Sequence, residues 1–160
     1  MFLTNYVRKE DFFLDGLPQE TPALATYAPT VTGDPFPHIF SNDLAVINRH
    51  FSKWKTVKRD WYKWFSFRIG FRYKAHTLFD FFNTRYFTGF INFHLPSAMR
   101  KSTYEELWRL EPEVLAQACR TKFRESTDVN QYVLSWFNIC KGEYVPRAAN
   151  IGRYFEIGRN

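Results

Sequence analysis

The chain has 160 residues and is 45% hydrophobic, which suits a single domain with a core of ordinary size and excludes a disordered tail. Its formal net charge of +6 indicates affinity for anions, a class that includes nucleic acid, phosphate-bearing small molecules and acidic membrane surfaces. No apolar run approaches the ~18 residues that a membrane helix needs, and no basic region followed by an apolar one opens the chain, so we expect neither a membrane span nor a secretion signal.

The first part of the chain is predicted to form short extended segments and then helices. In order, the pattern predicts a strand near Phe2, a short helix over 9–13, an extended segment over 23–31, a loop over 33–37, and helices over 39–51 and 52–65. The helix over 39–51 rests on apolar residues at helical spacing, namely Ile39, Leu44, Ile47 and Phe51. Gly70 ends this helical run.

The remaining elements are predicted from aromatic spacing and from cap residues. A short helix over 76–82 precedes an extended segment that Pro96 ends. Ser102 and Glu105 match a capping box and predict a helix that ends near residue 110. Pro112 opens the next helix, which reaches about residue 121, and a last helix runs from residue 127 or 128 to Gly142. The chain is therefore predicted to be a helix-dominated α+β protein with a few short strands.

Cys119 and Cys140 both fall on predicted helices and lack the spacing of a metal site. We therefore expect two reduced thiols, with a disulfide as the alternative. Asn42 and Asp43 resemble an acidic metal motif, but their position near the predicted start of a helix favours a capping role.

A basic aromatic segment lies between residues 51 and 75. It carries one acid, Asp60, and eight cations: Lys53, Lys55, Lys58, Arg59, Lys63, Arg68, Arg72 and Lys74. Cations interleaved with rings suit nucleic acid, because cations neutralise phosphates and rings stack on unpaired bases. An amphipathic helix with a solvated basic face has the same pattern, and we prefer that interpretation because no known nucleic-acid motif accompanies the segment.

Two further residues are candidates for chemistry. His94 lies between aromatic residues and Pro96, at the end of the predicted extended segment, where a side chain can be both fixed and accessible. The alternative is a hydrogen-bonded core histidine. Arg124 precedes the last predicted helix and can share an anionic oxygen with the backbone amides there. The alternative is a helix capped by Thr127 or Asp128, with Arg124 in a weak surface ion pair.

Five separated motifs, in this order, resemble the Stealth family of bacterial capsular polysaccharide phosphotransferases: Phe-Thr-Gly-Phe at 87–90, His94-Leu-Pro96, Lys101-Ser-Thr-Tyr-Glu-Glu-Leu-Trp108, Lys122-Phe-Arg124 with Asp128-Val-Asn-Gln131, and Lys141-Gly-Glu-Tyr-Val-Pro146. The resemblance covers residues 1 to about 146. It implies transfer of a sugar-1-phosphate from a nucleotide-sugar donor to a hydroxyl of a polysaccharide acceptor. It also implies a bacterial, cytoplasmic enzyme.

The resemblance assigns roles to particular residues. His94 and Arg124 fall on the family's essential histidine and arginine and are the implied catalytic residues. Asp128, Asn130 and Lys122, in the neighbouring motif positions, are the implied substrate-binding residues. The alternative function is a noncatalytic module that binds anions or nucleic acid through residues 51–75, although nucleic acid is the less favoured partner.

The chain departs from the family at its start. Similar proteins carry an Asn-Asp-Asp motif directly before the position of Phe2, and a nucleotide-binding half before that. Residues 1–160 are therefore expected to form a single region, the C-terminal portion of a catalytic domain, inactive alone. A divalent cation, Mg²⁺, is expected as cofactor, with ligands largely outside this chain and no metal ligand assigned within it.

Overall fold

The computed structural model describes residues 17–25, 36–91 and 99–148, and helices make up 59% of them. The described residues form seven helices: α1 (Phe36–His50), α2 (Lys53–Arg59), α3 (Trp61–Trp64), α4 (Phe71–Asn83), α5 (Lys101–Leu110), α6 (Pro112–Arg120) and α7 (Tyr132–Lys141). Two short strands, β1 (Gln19–Glu20) and β2 (Val145–Pro146), accompany them. The predicted helix-dominated α+β class is confirmed.

Helix α7 lies at the centre of the core and packs against α1 and α5. Its side chains from Val133 to Cys140 are almost all buried, including Trp136 and Phe137. Trp136 stacks on Phe90 with ring centroids 5.0 Å apart, and Phe137 meets Phe51 edge-on at 4.9 Å. Burial of each large apolar side chain contributes about 1.5–3 kcal/mol, so this helix supplies much of the stability of the fold.

Pairing between distant strands joins the two ends of the described chain. Strand β1 runs parallel to β2, with Gln19 opposite Val145 and Glu20 opposite Pro146. Leu24 forms an antiparallel bridge with Phe90, which brings residues 17–25 to the rings of the core. The predicted strand near Phe2 and helix over 9–13 lie outside the described residues, as does most of the predicted segment over 23–31.

The first predicted helices are present with altered boundaries. α1 begins at Phe36, inside the predicted loop over 33–37, because Pro37 fits the first helical turn, where a missing N–H is not needed. The predicted helix over 52–65 is two helices, since Asp60 leaves helical geometry at φ −111° and ψ 25°. α4 extends the predicted helix over 76–82 at both ends and begins directly after Gly70.

For the later helices, some of the predicted ends agree with the structure and others do not. Gly142 ends α7 with a left-handed φ of 77°, and Pro112 begins α6, as predicted. The capping box at Ser102 is wrong, because α5 begins at Lys101 after an extended Arg100 that pairs with Glu143 at 2.6 Å. The predicted start of the last helix at residue 127 or 128 is also wrong, since α7 begins at Tyr132. Cys119 and Cys140 are free thiols on helices, as predicted.

Candidate functional site

The loop between α6 and α7, residues 121–131, carries four of the five residues predicted to act in catalysis or binding. We call it the α6–α7 loop. Lys122, Arg124, Asp128 and Asn130 all lie on it, so the structure brings these four residues together on one short connection. The fifth, His94, lies outside the described residues, and its placement near Arg124 stays a prediction.

Asp128 holds the α6–α7 loop closed from within. Its carboxylate is buried and accepts hydrogen bonds from the Thr121 hydroxyl, 3.1 Å from each oxygen, and from the Glu125 backbone N–H at 2.9 Å. The carboxylate therefore determines the loop shape and does not cap a helix, since α7 begins four positions later. A direct contact between Asp128 and a substrate stays a prediction.

Two side chains of α1 hold the same loop from beneath. Asn42 donates its amide hydrogens to the backbone carbonyls of Ser126 and Asp128, each at 2.8 Å. Asp43 accepts the backbone N–H of Asn130 at 2.9 Å. The sequence interpretation of Asn42 and Asp43 as a helix start is wrong, because both lie well inside α1, which begins at Phe36.

Asn130 connects the loop to the core helix. Its side-chain oxygen accepts the backbone N–H of Tyr132 at 2.7 Å, at the first residue of α7. Its own backbone N–H is bound by Asp43. Asn130 thus fixes both the end of the loop and the start of the helix, and its predicted contact with substrate stays a prediction.

The carboxyl group of Asp43 is the most perturbed acid of this site. Its side chain is fully buried, and this burial raises the pKa of the carboxyl group to about 8. The hydrogen bond from the Asn130 backbone N–H lowers the pKa, but by less than burial raises it. Its Oδ2 has no hydrogen-bond partner among the described residues. Asp43 is therefore protonated at neutral pH and adds no negative charge beneath the loop.

The outward side of the α6–α7 loop carries cations and a ring. Lys122 and Arg124 are exposed, and the Lys122 ammonium lies 5.6 Å from the centroid of the Phe123 ring, which is itself 77% exposed. Asp128 is turned inward and Asp43 is neutral, so the exposed charges of the loop are the two cations and one acid, Glu125, and their sum is positive. Such an arrangement favours binding of an anion such as a phosphate.

The chain that leads toward His94 is anchored on the same core helix. Ile91 donates its backbone N–H to Ala23 at 2.9 Å, and Ala25 donates to Gly89 at 3.1 Å. Phe90, between these bonds, stacks on Trp136 of α7. One end of the segment that carries His94 is thus fixed to the helix that the α6–α7 loop enters.

The basic aromatic segment over 51–75 uses several cations inside the fold. Lys53 is buried and donates to Asp80 and Thr84. Arg59 binds Asp60 and the Cys140 carbonyl. Lys63 donates to the backbone carbonyls of Gly142 and Tyr144. These contacts remove Lys53 from the surface and engage Arg59 and Lys63 with partners of the fold, although Arg59 stays half exposed.

The described residues do not fit a divalent-cation site. They contain no group of three or more His, Cys, Asp or Glu side chains that could hold a metal ion. No helix within residues 17–25, 36–91 and 99–148 is both long and apolar enough to cross a membrane.

Comparison with known proteins shows which class of protein this chain resembles. No family model matches the chain, and no solved structure matches it. Over nearly its whole length, however, the chain is homologous to bacterial polysaccharide phosphotransferases, which confirms the resemblance seen in the motifs.

Three relatives illustrate the similarity. The receptor polysaccharide phosphotransferase WefC of Streptococcus gordonii is 32% identical over 98% of the chain. The capsular polysaccharide phosphotransferase WcwK of Streptococcus pneumoniae is 30% identical over 98%, and the exopolysaccharide phosphotransferase cps2G of Lactiplantibacillus plantarum is 28% identical over 99%. In each case the chain covers 46% of the relative, so it spans about half the length of these proteins.

Proposed function

We propose that the chain is the acceptor-side portion of an enzyme that transfers a sugar-1-phosphate from a nucleotide sugar to a hydroxyl of a growing polysaccharide. The observation that carries this proposal is a closed loop with outward cations, in a chain homologous to polysaccharide phosphotransferases. In this reaction the acceptor oxygen attacks the sugar-bearing phosphorus. The pyrophosphate P–O bond breaks, and a nucleoside monophosphate leaves.

Each proposed catalytic residue has one task in that reaction. His94 takes the proton of the acceptor hydroxyl as the new O–P bond forms. Arg124 donates hydrogen bonds to the oxygens of the pyrophosphate, where negative charge increases as the leaving group departs. Lys122 adds a second positive charge on the same loop. Asp128 and Asn130 keep the loop in the conformation that presents both cations.

The role of Arg124 as a charge-stabilising group is tested by substitution in a complete enzyme, one that also contains the region the longer relatives carry. Arg124→Ala is expected to lower turnover by about 10²-fold or more, with little change in the melting temperature. His94→Ala is expected to do the same through loss of the base. The measurements are nucleoside monophosphate release and a thermal melt of each variant.

Arg109→Ala is the matched control, because Arg109 is an exposed arginine on α5, outside the α6–α7 loop. It is expected to retain near-normal turnover. If Arg124→Ala and Arg109→Ala have equal activity, the anion-binding role of Arg124 is wrong. If His94→Ala loses activity only in proportion to folded protein, His94 is a packing residue.

The predicted Mg²⁺ is retained as part of the proposal, with ligands supplied outside the described residues. A cytoplasmic location fits a nucleotide-sugar donor and is proposed on that ground. The alternative, a nucleic-acid-binding module using residues 51–75, is disfavoured because Lys53 is buried and Lys63 is bound to backbone carbonyls. Tight binding of single-stranded nucleic acid with a steep salt dependence would restore it.

A further inference from the structure

Helix α4 has a second apolar side that is largely exposed and that meets another helix through Phe82, whose ring centroid lies 6.2 Å from that of Trp54 of α2. Its inward side buries Thr77, Asp80 and Phe81. Its outward side carries exposed apolar residues at positions i, i+4, i+7, i+8 and i+11, which form one stripe along a helix: Phe71, Ala75, Leu78, Phe79 and Phe82. We call these five residues the α4 stripe.

The α4 stripe is more exposed than ordinary surface apolar residues. Phe71 is 85% exposed, Phe79 69%, Phe82 68% and Leu78 48%. Phe67, in the turn just before the helix, is 89% exposed. Scattered single apolar residues on a surface are normal, but a contiguous row of large ones indicates an interaction surface.

The exposed charged residues around the α4 stripe, within residues 51–91, are all positive. Residues 51–91 contain nine Lys and Arg residues but two acids, Asp60 and Asp80, and both acids are buried. Among the cations, Arg68 and Arg72 are exposed directly beside the stripe in sequence. Lys55, Lys58 and Arg85 are exposed elsewhere in this region. The region therefore combines a row of apolar side chains with positive charge and no exposed acid.

We propose that the α4 stripe binds the surface of an anionic lipid bilayer, with α4 lying in the plane of the interface. A helix of 13 residues is ~20 Å long, which suits an in-plane position and is too short to span the hydrocarbon region. The stripe would enter the boundary between headgroups and acyl chains, while Arg68 and Arg72 contact lipid phosphates.

Two observations favour a lipid surface over a nucleic acid. The stripe includes Ala75 and Leu78, which cannot stack on bases, whereas a lipid boundary accepts aliphatic and aromatic side chains alike. Lys53 is buried and Lys63 is bound to backbone carbonyls, so neither is available to follow a phosphate backbone. The proposal concerns binding to a surface and does not depend on the proposed transferase activity.

The test is co-sedimentation of the full 160-residue chain with vesicles of phosphatidylglycerol and of phosphatidylcholine, at low and high salt. Binding is expected to phosphatidylglycerol and to weaken at least several-fold with phosphatidylcholine or at high salt. Phe79→Ser is expected to lower the partition coefficient about tenfold, and the double substitution of Phe79 and Phe82 by Ser more than that. Circular dichroism melts check that the variants stay folded.

Leu110→Ser is the matched control, because Leu110 is an exposed apolar residue on α5, outside both the α4 stripe and the α6–α7 loop. It is expected to bind vesicles as the unchanged chain does. The proposal is overturned if the unchanged chain does not bind phosphatidylglycerol, or if Phe79→Ser and Leu110→Ser bind equally. A dimer in gel filtration that Phe79→Ser converts to monomers would assign the stripe to a second copy instead. Binding of single-stranded nucleic acid that Phe79→Ser abolishes would assign it to that partner.

Discussion

The basic segment over 51–75 and the α6–α7 loop both carry cations beside aromatic residues, but the basic segment binds part of its positive charge within the fold, whereas the loop presents both of its cations to solvent. In the basic segment, Lys53 is buried against Asp80, and other cations bind backbone carbonyls at the end of α7. In the α6–α7 loop, the acid Asp128 turns inward and the cations Lys122 and Arg124 face solvent. A count of charges therefore does not identify a binding site, whereas the direction of each side chain does.

The largest effect is expected where a charge is buried. Lys53→Met should lower the free energy of unfolding by about 3–5 kcal/mol, because it leaves the buried Asp80 carboxylate without its cation. Lys55→Met, an exposed lysine on the same helix, should change it by less than ~0.5 kcal/mol. Urea unfolding of both variants measures the difference. Equal stabilities would show that the cations of this segment are surface charges after all.

The role of Asp80 in that loss can be separated by a double variant. Adding Asp80→Asn to Lys53→Met removes the unpaired charge while leaving a polar group for Thr88, which donates to Asp80 at 2.7 Å. The double variant should recover part of the lost stability. Failure to recover would assign the loss to packing of the lysine chain.

A second effect concerns the acid beneath the α6–α7 loop and depends on pH. The folded-state pKa of Asp43 is raised from 3.8 to about 8, so the folded protein holds a proton that the unfolded chain releases. The stability associated with that proton is complete below about pH 4 and is lost as the pH rises to about 8. Asp43→Asn removes this dependence while keeping an oxygen for the Asn130 N–H.

Asp43→Asn should therefore match the unchanged chain below about pH 4 and exceed its stability by several kcal/mol near pH 9. Unfolding in urea at a series of pH values measures the difference directly. Because all other titrating groups are common to both chains, a difference that does not grow with pH would show that Asp43 is ionised in the folded protein.

The smallest effect is expected within the α6–α7 loop itself. Asp128→Ala removes the acceptor for the Thr121 hydroxyl and the Glu125 N–H, which should lower stability by about 1–2 kcal/mol. Local opening should also make the loop more sensitive to trypsin, which cleaves after Lys122 and Arg124. Glu125→Ala, which removes an exposed carboxylate from the same loop, should leave the cleavage rate nearly unchanged. Equal cleavage of the two variants would contradict the role of Asp128 in closing the loop.

Local signals in the sequence were enough to predict where several helices begin or end. Gly142 predicts the end of α7 because a left-handed φ of 77° costs glycine little, and a Cβ there would lie 2.5 Å from Asp60 Oδ2. Pro112 predicts the start of α6 for an equally local reason. Lys122, Arg124, Asp128 and Asn130 were named from motifs in sequence order, but Asp128 and Asn130 were expected in the last helix, whereas the structure places all four on the α6–α7 loop.

Contacts between residues far apart in the sequence could not be predicted from such local signals. Asn42 and Asp43 lie more than 80 positions from their partners, and only folding brings α1 beneath the loop. The same contacts delay the start of α7 to Tyr132, because the preceding residues are bound to α1 and to the loop itself. A local signal that could have pointed to this site is the adjacent pair of polar residues Asn42 and Asp43 among the apolar positions of α1.

By itself, the sequence determined the helix-dominated class, the reduced thiols and the homology to polysaccharide phosphotransferases, because these depend on local periodicity, residue type and motif order. Only the tertiary structure decided that Lys53 is buried, that Asp43 is neutral and that Asp128 closes a loop. These properties depend on which side chains of distant segments face each other, and on how much water the folded chain leaves around them.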